Sequence, residues 1–257
     1  MFRPPLILNL FYLKTRRFER YMNKAKTIIA LLIFLAGAGV LAHFFFHPMV
    51  TDHQIREEAN GMDLLALHEK YPDVIGWIRV EGTNIDYPVM TGEKYLVRSM
   101  KDEYSAAGTP FVEDDWSCTD RCTIIYGHNM WANKTLFYAL HKFEDEEFFG
   151  KHKKIMFYAI CGDEVPFVEE RQYRISHCIL TDVSRWNYGS AQYIEDDIEM
   201  KEFLAECDER SLYGEDEAAM PEELILLSTC SYHIKGKDGR TVIAAKIEKK
   251  SEDAKVY

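Results

Sequence analysis

The sequence predicts a mainly β domain, a barrel or sandwich with appended helices, preceded by one N-terminal transmembrane helix. Three observations predict it. Residues 27–46 (TIIALLIFLAGAGVLAHFFF) carry no formal charge, short β-prone runs alternate with turn residues from Val74 onward, and only two longer helical patterns interrupt those runs. With 257 residues, 47% of them hydrophobic, the chain can fill one substantial core and does not have the composition of a disordered polymer.

In chain order, the first segment is basic. Residues 1–26 hold seven Lys or Arg against one Glu, a net +6 within a total of −11, which leaves −17 for everything after it. An acidic body argues against nucleic acid as a partner. The uncharged run that follows is about 20 residues, roughly 30 Å as a helix, enough to cross a bilayer. Cations on its amino side, with Asp52, Glu57 and Glu58 soon after it, orient residues 1–26 in the cytoplasm and the body outside. A cleaved signal peptide ending near Val40-Leu41-Ala42 is the competing reading. The apolar run continues through Phe44, Phe45 and Phe46, which favours an uncleaved anchor over 27–46.

Residues 52–72 place Ile55, Ala59, Met62, Leu65 and Ala66 among charges, the pattern of an amphipathic helix weakened by Gly61. A helical linker over 47–72 is therefore expected to pack on the body. Strands follow: VIGWIRV from Val74, IDYPVM from Ile85, then TPFVED, CTIIYG, KIMFYAI, YRISHCIL, ELILLST and TVIAAKIE. Many short strands with few helices suggest a barrel or sandwich. Residues 134–152 read as one or two short helices whose acidic run is a solvated face. Residues 191–210 put Ile194, Ile198, Phe203, Leu204 and Cys207 near one helical face, so Cys207 is expected in the core. With no internal repeat or low-complexity tract, 73–257 reads as one extracellular domain.

Six cysteines, Cys118, Cys122, Cys161, Cys178, Cys207 and Cys230, are each expected to be paired or buried. CTDRC at 118–122 has no second ligand pair at zinc-site spacing. If Cys230 stays reduced, at least one of the other five is unpaired as well, which points to few or no disulfides.

Cys230 ends the apolar run LILLSTC, where it is either a buried structural thiol or a nucleophile at a strand end. In CTIIYGHNMW a strand ends at Tyr126, Gly127 permits a tight turn, and His128 and Asn129 follow in an exposed position. Each has a bland reading alone, a buried thiol or a polar loop residue. Together with Arg240 they match three needs of one chemistry: a thiolate nucleophile, a proton donor for a leaving amine, and a forked cation for a developing oxyanion. If ELILLST and TVIAAKIE are antiparallel neighbours, Cys230 and Arg240 meet.

YGHNM at 126–130, LSTC at 227–230 and an arginine ten positions later in GRTVIAAK resemble the signature of the sortases, class B in particular. DVIGWIRVEGTNIDYPVM, the anchor and the helix over 191–210 are similar as well, so the resemblance covers residues 71–248 plus the anchor. It implies an eight-stranded sortase-type β-barrel on the outer face of a Gram-positive cell membrane, acting as a cysteine transpeptidase with no metal or organic cofactor. On that implication Cys230 attacks the Thr carbonyl of a C-terminal Pro-x-Thr (NPxTx-like) sorting signal on a secreted protein and becomes the thioester. His128 protonates the departing amine, Arg240 holds the substrate backbone and oxyanion, and an amine of a peptidoglycan precursor or a pilin accepts the acyl group. The resemblance also implies a substrate wall with Tyr193 and Ile194, and Ser228 behind Cys230; ordinary packing is the alternative for these three. Asn129 either orients His128 or caps a turn. Alternatives to wall anchoring are a pilin polymerase, a membrane-tethered cysteine peptidase that hydrolyses its thioester, and a non-enzymatic binding module. The intact Cys, His and Arg set argues against the last.

Overall fold

In the computed structural model, which describes residues 22–42, 63–162, 164–214, 220–231 and 238–252, strands form where the sequence alternates or runs apolar. They are β1 (Val74–Val80), β2 (Asp86–Thr91), β3 (Phe111–Val112), β4 (Cys122–Tyr126), β5 (Asn129–Met130), β6 (Thr135–Leu136), β7 (Lys154–Cys161), β8 (Phe167–Asp182), β9 (Leu224–Cys230) and β10 (Gly239–Glu252). Eight of them close into a barrel in the order β1-β2-β3-β4-β9-β10-β8-β7, while β5 and β6 pair separately. The β2–β3 and β4–β9 pairs are parallel, and the other pairs among the described strands are antiparallel. Of the expected strands, TPFVED contracts to two residues, and YRISHCIL lengthens to sixteen because β10 pairs along nearly all of β8.

Contacts divide the chain into two units, Met1–His47 and Pro48–Tyr257. In the first, helix α1 (Met22–Ala42) has a mean hydropathy of 2.2 and none of its apolar window buried, and it is long enough to cross a membrane. Residues 43–46 of the expected span, and Ile55, Ala59 and Met62 of the expected linker face, lie outside the described residues.

The second unit opens with α2 (Leu64–Lys70), capped by Asp63, whose carboxylate accepts from the Ala66 amide at 2.8 Å. Leu64 and Leu67 bury against Val74 and Trp77. Leu65 and Ala66, expected to face inward, stay outside that cluster, because a helix starting at 64 aligns 64 with 67 on its inner side. The stretch expected to hold one or two short helices forms a 3-10 helix (Phe137–Glu144) followed by α3 (Glu146–Lys151).

β9 explains its own apolar run, because it is covered on both faces. Ile225 and Leu227 join the barrel interior with Ile78, Tyr87 and Phe157, whereas Leu224 and Leu226 lie beneath helix α4 (Asp197–Arg210) with Met200, Leu204 and Cys207. Cys207 is therefore core, as the helical pattern predicts. The helix begins later than expected. Asp196 caps it, accepting from the amides of Ile198 and Glu199 at 2.8 and 2.9 Å, and a 3-10 helix (Tyr188–Tyr193) precedes it. From that start Met200, Phe203, Leu204 and Cys207 form the buried stripe, and Ile198, expected on it, is 68% exposed.

Candidate active site

Three neighbouring strands bring the predicted catalytic residues to one rim of the barrel. β4 and β9 run parallel with Tyr126 beside Ser228, and β10 returns antiparallel with Arg240 directly opposite Cys230. The end of β4, the end of β9 and the start of β10 thus coincide. His128 sits two residues past β4. Its turn is tied to β9 by the Gly127 amide donating to the Ser228 carbonyl at 3.1 Å and by the Thr229 hydroxyl donating to the Gly127 carbonyl at 2.8 Å.

His128 is half-buried rather than exposed, and Asn129 is buried; this corrects the exposed position expected of both. His128 Nε2 lies 2.8 Å from the Leu96 carbonyl in the 3-10 helix Glu93–Val97. A carbonyl only accepts, so Nε2 carries the proton and Nδ1 is the nitrogen available for exchange. Burial pushes the His128 pKa below its ordinary value, an effect the Leu96 carbonyl partly offsets. Gly127 has a different role from the one its turn suggests. Its backbone is not left-handed, but a Cβ there would fall 2.7 Å from the fully buried Phe137 ring.

Cys230 is half-buried at its strand end. Two residues back on the same face, Ser228 is buried and its hydroxyl lies 2.7 Å from that of Tyr188. Tyr188 also hydrogen-bonds the Arg240 side chain, and burial pushes its phenol pKa up. It joins the arginine to the strand of the cysteine. An open cleft of about 620 Å³ runs between residues 113–115 and the 3-10 helix Tyr188–Tyr193, and Tyr126 lines it next to the His128 turn. Tyr193 borders this cleft, 63% exposed, with its hydroxyl 3.2 Å from Asp115. Ile194, beside it, instead packs in the core under α4 with Ile124 and Ile179. Carboxylates of Glu113, Asp114 and Asp115 make the opposite wall acidic. Burial first, then Glu93, Asp115 and Asp114, raises the Glu113 pKa.

No protein-family model matches the chain. It is similar to the curated sortase B of Staphylococcus aureus, 23% identical across 91% of this chain and all of that one. It is also similar to the sortase B of Listeria monocytogenes, 26% identical across 90% and 98%. A solved structure of sortase B from Bacillus anthracis is 30% identical, covers 72% of this chain and 83% of its own, and superposes with a TM-score of 0.58. The chain belongs to the class B sortases.

As a sortase it is a cysteine transpeptidase, and the closed eight-stranded barrel is the fold its relatives share. Asn129 Nδ2 hydrogen-bonds partners other than His128: it donates to the Cys230 carbonyl at 3.0 Å and lies 2.6 Å from His141 Nε2. Its Oδ1 has no partner among the described residues. One disulfide, Cys118–Cys161, is formed, so Cys118 pairs with the end of β7 and not within CTDRC; Cys122, Cys178, Cys207 and Cys230 are free thiols. Glu169 lies with the bridge in a group whose ligand atoms fall within 4.8 Å, but the sulfurs are already joined. The buried Arg171 guanidinium also contacts them, 2.9 Å from Cys118 Sγ, an arrangement for a cross-link and not for a cation.

Sequence reasoning missed Tyr188, His141 and Glu144. Their contacts with the site span from 12 to 100 positions of chain, and no local spacing announces them. Only the order YGHNM, LSTC, Arg marks the rim itself.

Proposed function

We propose that this sortase cuts a Pro-x-Thr (NPxTx-like) sorting signal near the C-terminus of secreted proteins and joins the new carboxyl end to an amine of a cell-wall precursor. The observation that carries the reading is the rim: Cys230 opposite Arg240 in one ladder, with His128 at the end of the next strand. Cys230 gives its thiol proton to His128 Nδ1, its Sγ attacks the Thr carbonyl carbon, forming C–S, and the C–N bond to the following residue breaks. His128 delivers a proton to the leaving nitrogen through Nδ1 while Arg240 donates to the carbonyl oxygen as it gains charge. The acceptor amine then attacks the thioester, C–S breaks, and the amine's proton passes to His128. Each step balances with side chains alone.

Tyr193 forms part of the peptide wall, since it borders the cleft beside the histidine turn. Ser228 acts behind the nucleophile through Tyr188. Residues 1–26 stay in the cytoplasm, 27–46 anchor the chain, and the linker over 47–72 leads to an extracellular catalytic domain over 73–257. The exposed apolar α1 and the basic segment before it support that layout.

Intact-mass spectrometry tests the reading on the full chain in detergent micelles, mixed with Pro-x-Thr peptides with and without an amine. The expected result is an acyl adduct mapped to Cys230 that becomes an amide product when amine is added. An adduct released only to water, whatever the amine concentration, overturns transpeptidation in favour of hydrolysis; an adduct on another residue overturns the nucleophile.

A further inference from the structure

Cys230 is the last residue of β9, and on one side its ladder has run out. There the last rung is the Gly127 amide donating to the Ser228 carbonyl at 3.1 Å. The carbonyl that faces the same way is two residues on, at Cys230, where β4 offers no further strand. Asn129 Nδ2 fills that place at 3.0 Å.

The same nitrogen is 2.6 Å from His141 Nε2. Because the Cys230 carbonyl can only accept, it fixes which way the amide points: the nitrogen, with two N–H groups, faces both the carbonyl and the imidazole. His141 Nε2 therefore accepts, which places its proton on Nδ1. That nitrogen lies 2.5 Å from Glu144 Oε1, and the Thr241 hydroxyl donates to the same oxygen at 3.2 Å. Asn129 Oδ1 is left buried without a partner among the described residues, the cost of an amide whose nitrogen is held from two sides. The result is a directed chain from Glu144 through His141 and Asn129 to the peptide of the nucleophile. Thr241 ties its carboxylate end to the strand that carries Arg240.

We propose that Glu144, His141 and Asn129 are positioning residues for the transpeptidation, holding the Cys230–Ser231 peptide and thereby the direction of the Cys230 side chain. The proposal rests on Cys230 as nucleophile. His141 works through the acceptor capacity of Nε2 and exchanges no proton with substrate, so the two histidines of the region divide the work: His128 serves the reacting atoms, His141 the backbone behind them.

The chemistry of the two ring nitrogens supplies the test. A glutamine amide places an acceptor about where Nε2 lies, whereas an asparagine amide reaches only the position of Nδ1. Steady-state kinetics of the full chain in detergent micelles, with a Pro-x-Thr peptide accepted by the wild type, compare Asn129→Ala, His141→Ala, His141→Gln and His141→Asn. Asn129→Ala, His141→Ala and His141→Asn are expected to lower kcat by about tenfold to a hundredfold. KM should stay within about twofold. His141→Gln should recover most of the rate, while the His141→Gln and His141→Asn thermal midpoints stay alike. Equal rates for His141→Gln and His141→Asn, a loss confined to KM, or rates that follow the thermal midpoints would each overturn the chain. Cys230→Ala separates the two readings: activity retained there defeats the nucleophile, whereas an inactive Cys230→Ala beside an unaffected His141 series defeats only the positioning chain.

Discussion

Arg240 stands directly opposite Cys230 in the β9–β10 ladder, and the buried Tyr188 hydroxyl that bonds its side chain also reaches Ser228 on the cysteine's strand. A planar fork held in that way can meet a carbonyl oxygen with fixed geometry; a lysine ammonium is a single flexible point charge. Arg240→Lys should therefore fail to conserve function. A loss of about 10²- to 10³-fold in kcat is expected, roughly 3–4 kcal/mol of transition-state stabilisation. Single-turnover acylation read by mass spectrometry checks it, and a lysine variant within about twofold of wild type removes the arginine from the oxyanion role.

His128 should make the fold acid-sensitive. Its folded pKa lies below the ordinary value because it is buried, so the unfolded chain takes up the proton more readily. With more protons bound to the unfolded state, stability rises with pH. The contribution is complete above the unfolded value of about 6.5 and is lost as pH falls from there toward the folded pKa. Urea midpoints of the wild type should therefore drop more between pH 7.5 and 5.5 than those of His128→Gln, a variant that keeps a donor for the Leu96 carbonyl. Parallel curves would show that His128 charges without penalty.

What the sequence makes legible here is what lies close along the chain or at strand ends. LILLSTC declares a strand buried on both faces, and a cysteine at its end with an arginine ten residues later declares a hairpin-like return. The helix over 191–210 was legible in its second half, where 203, 204 and 207 repeat at helical spacing, but Asp196 as its cap turned Ile198 outward and put Met200 on the buried stripe. Disulfide partners cannot be deduced from spacing, and Cys118 bypasses the nearby Cys122 for Cys161, 43 positions away. Tyr188, His141 and Glu144 were silent for the same reason: tertiary contact alone gives them a role.

Gly127 marks where packing reaches the histidine. Gly127→Ala places a methyl carbon 2.7 Å from the Phe137 ring, which is fully buried and whose amide holds the His128 carbonyl at 3.0 Å. Overpacking of this kind costs about 1–3 kcal/mol. Relief by shifting the turn would carry His128 with it, so kcat should fall in the molecules that remain folded. Chemical denaturation and kinetics on the same sample check the pair of effects; a variant with wild-type stability and rate would mean that the ring yields without cost.

The disulfide should be structural in its consequences. Cys118 and Cys161 close a loop of 43 positions and tie the segment after β3 to the end of β7, with Cα atoms 5.5 Å apart. Constraining a loop of that length in the unfolded chain is worth about 4 kcal/mol in the chain-entropy account. The bridge also supplies contacts to Arg171, which is buried, donates to Glu169 at 2.5 Å and faces Glu223 at 3.6 Å. Replacing both cysteines by serine keeps hydroxyls beside the guanidinium and removes only the cross-link. The double variant should therefore lose most of that 4 kcal/mol, a fall of roughly 8 °C or more in thermal midpoint for a domain of this size. Reductant should shift the wild type by a similar amount and leave the double variant unchanged. A wild type indifferent to reductant would show that the cross-link does not constrain the unfolded chain.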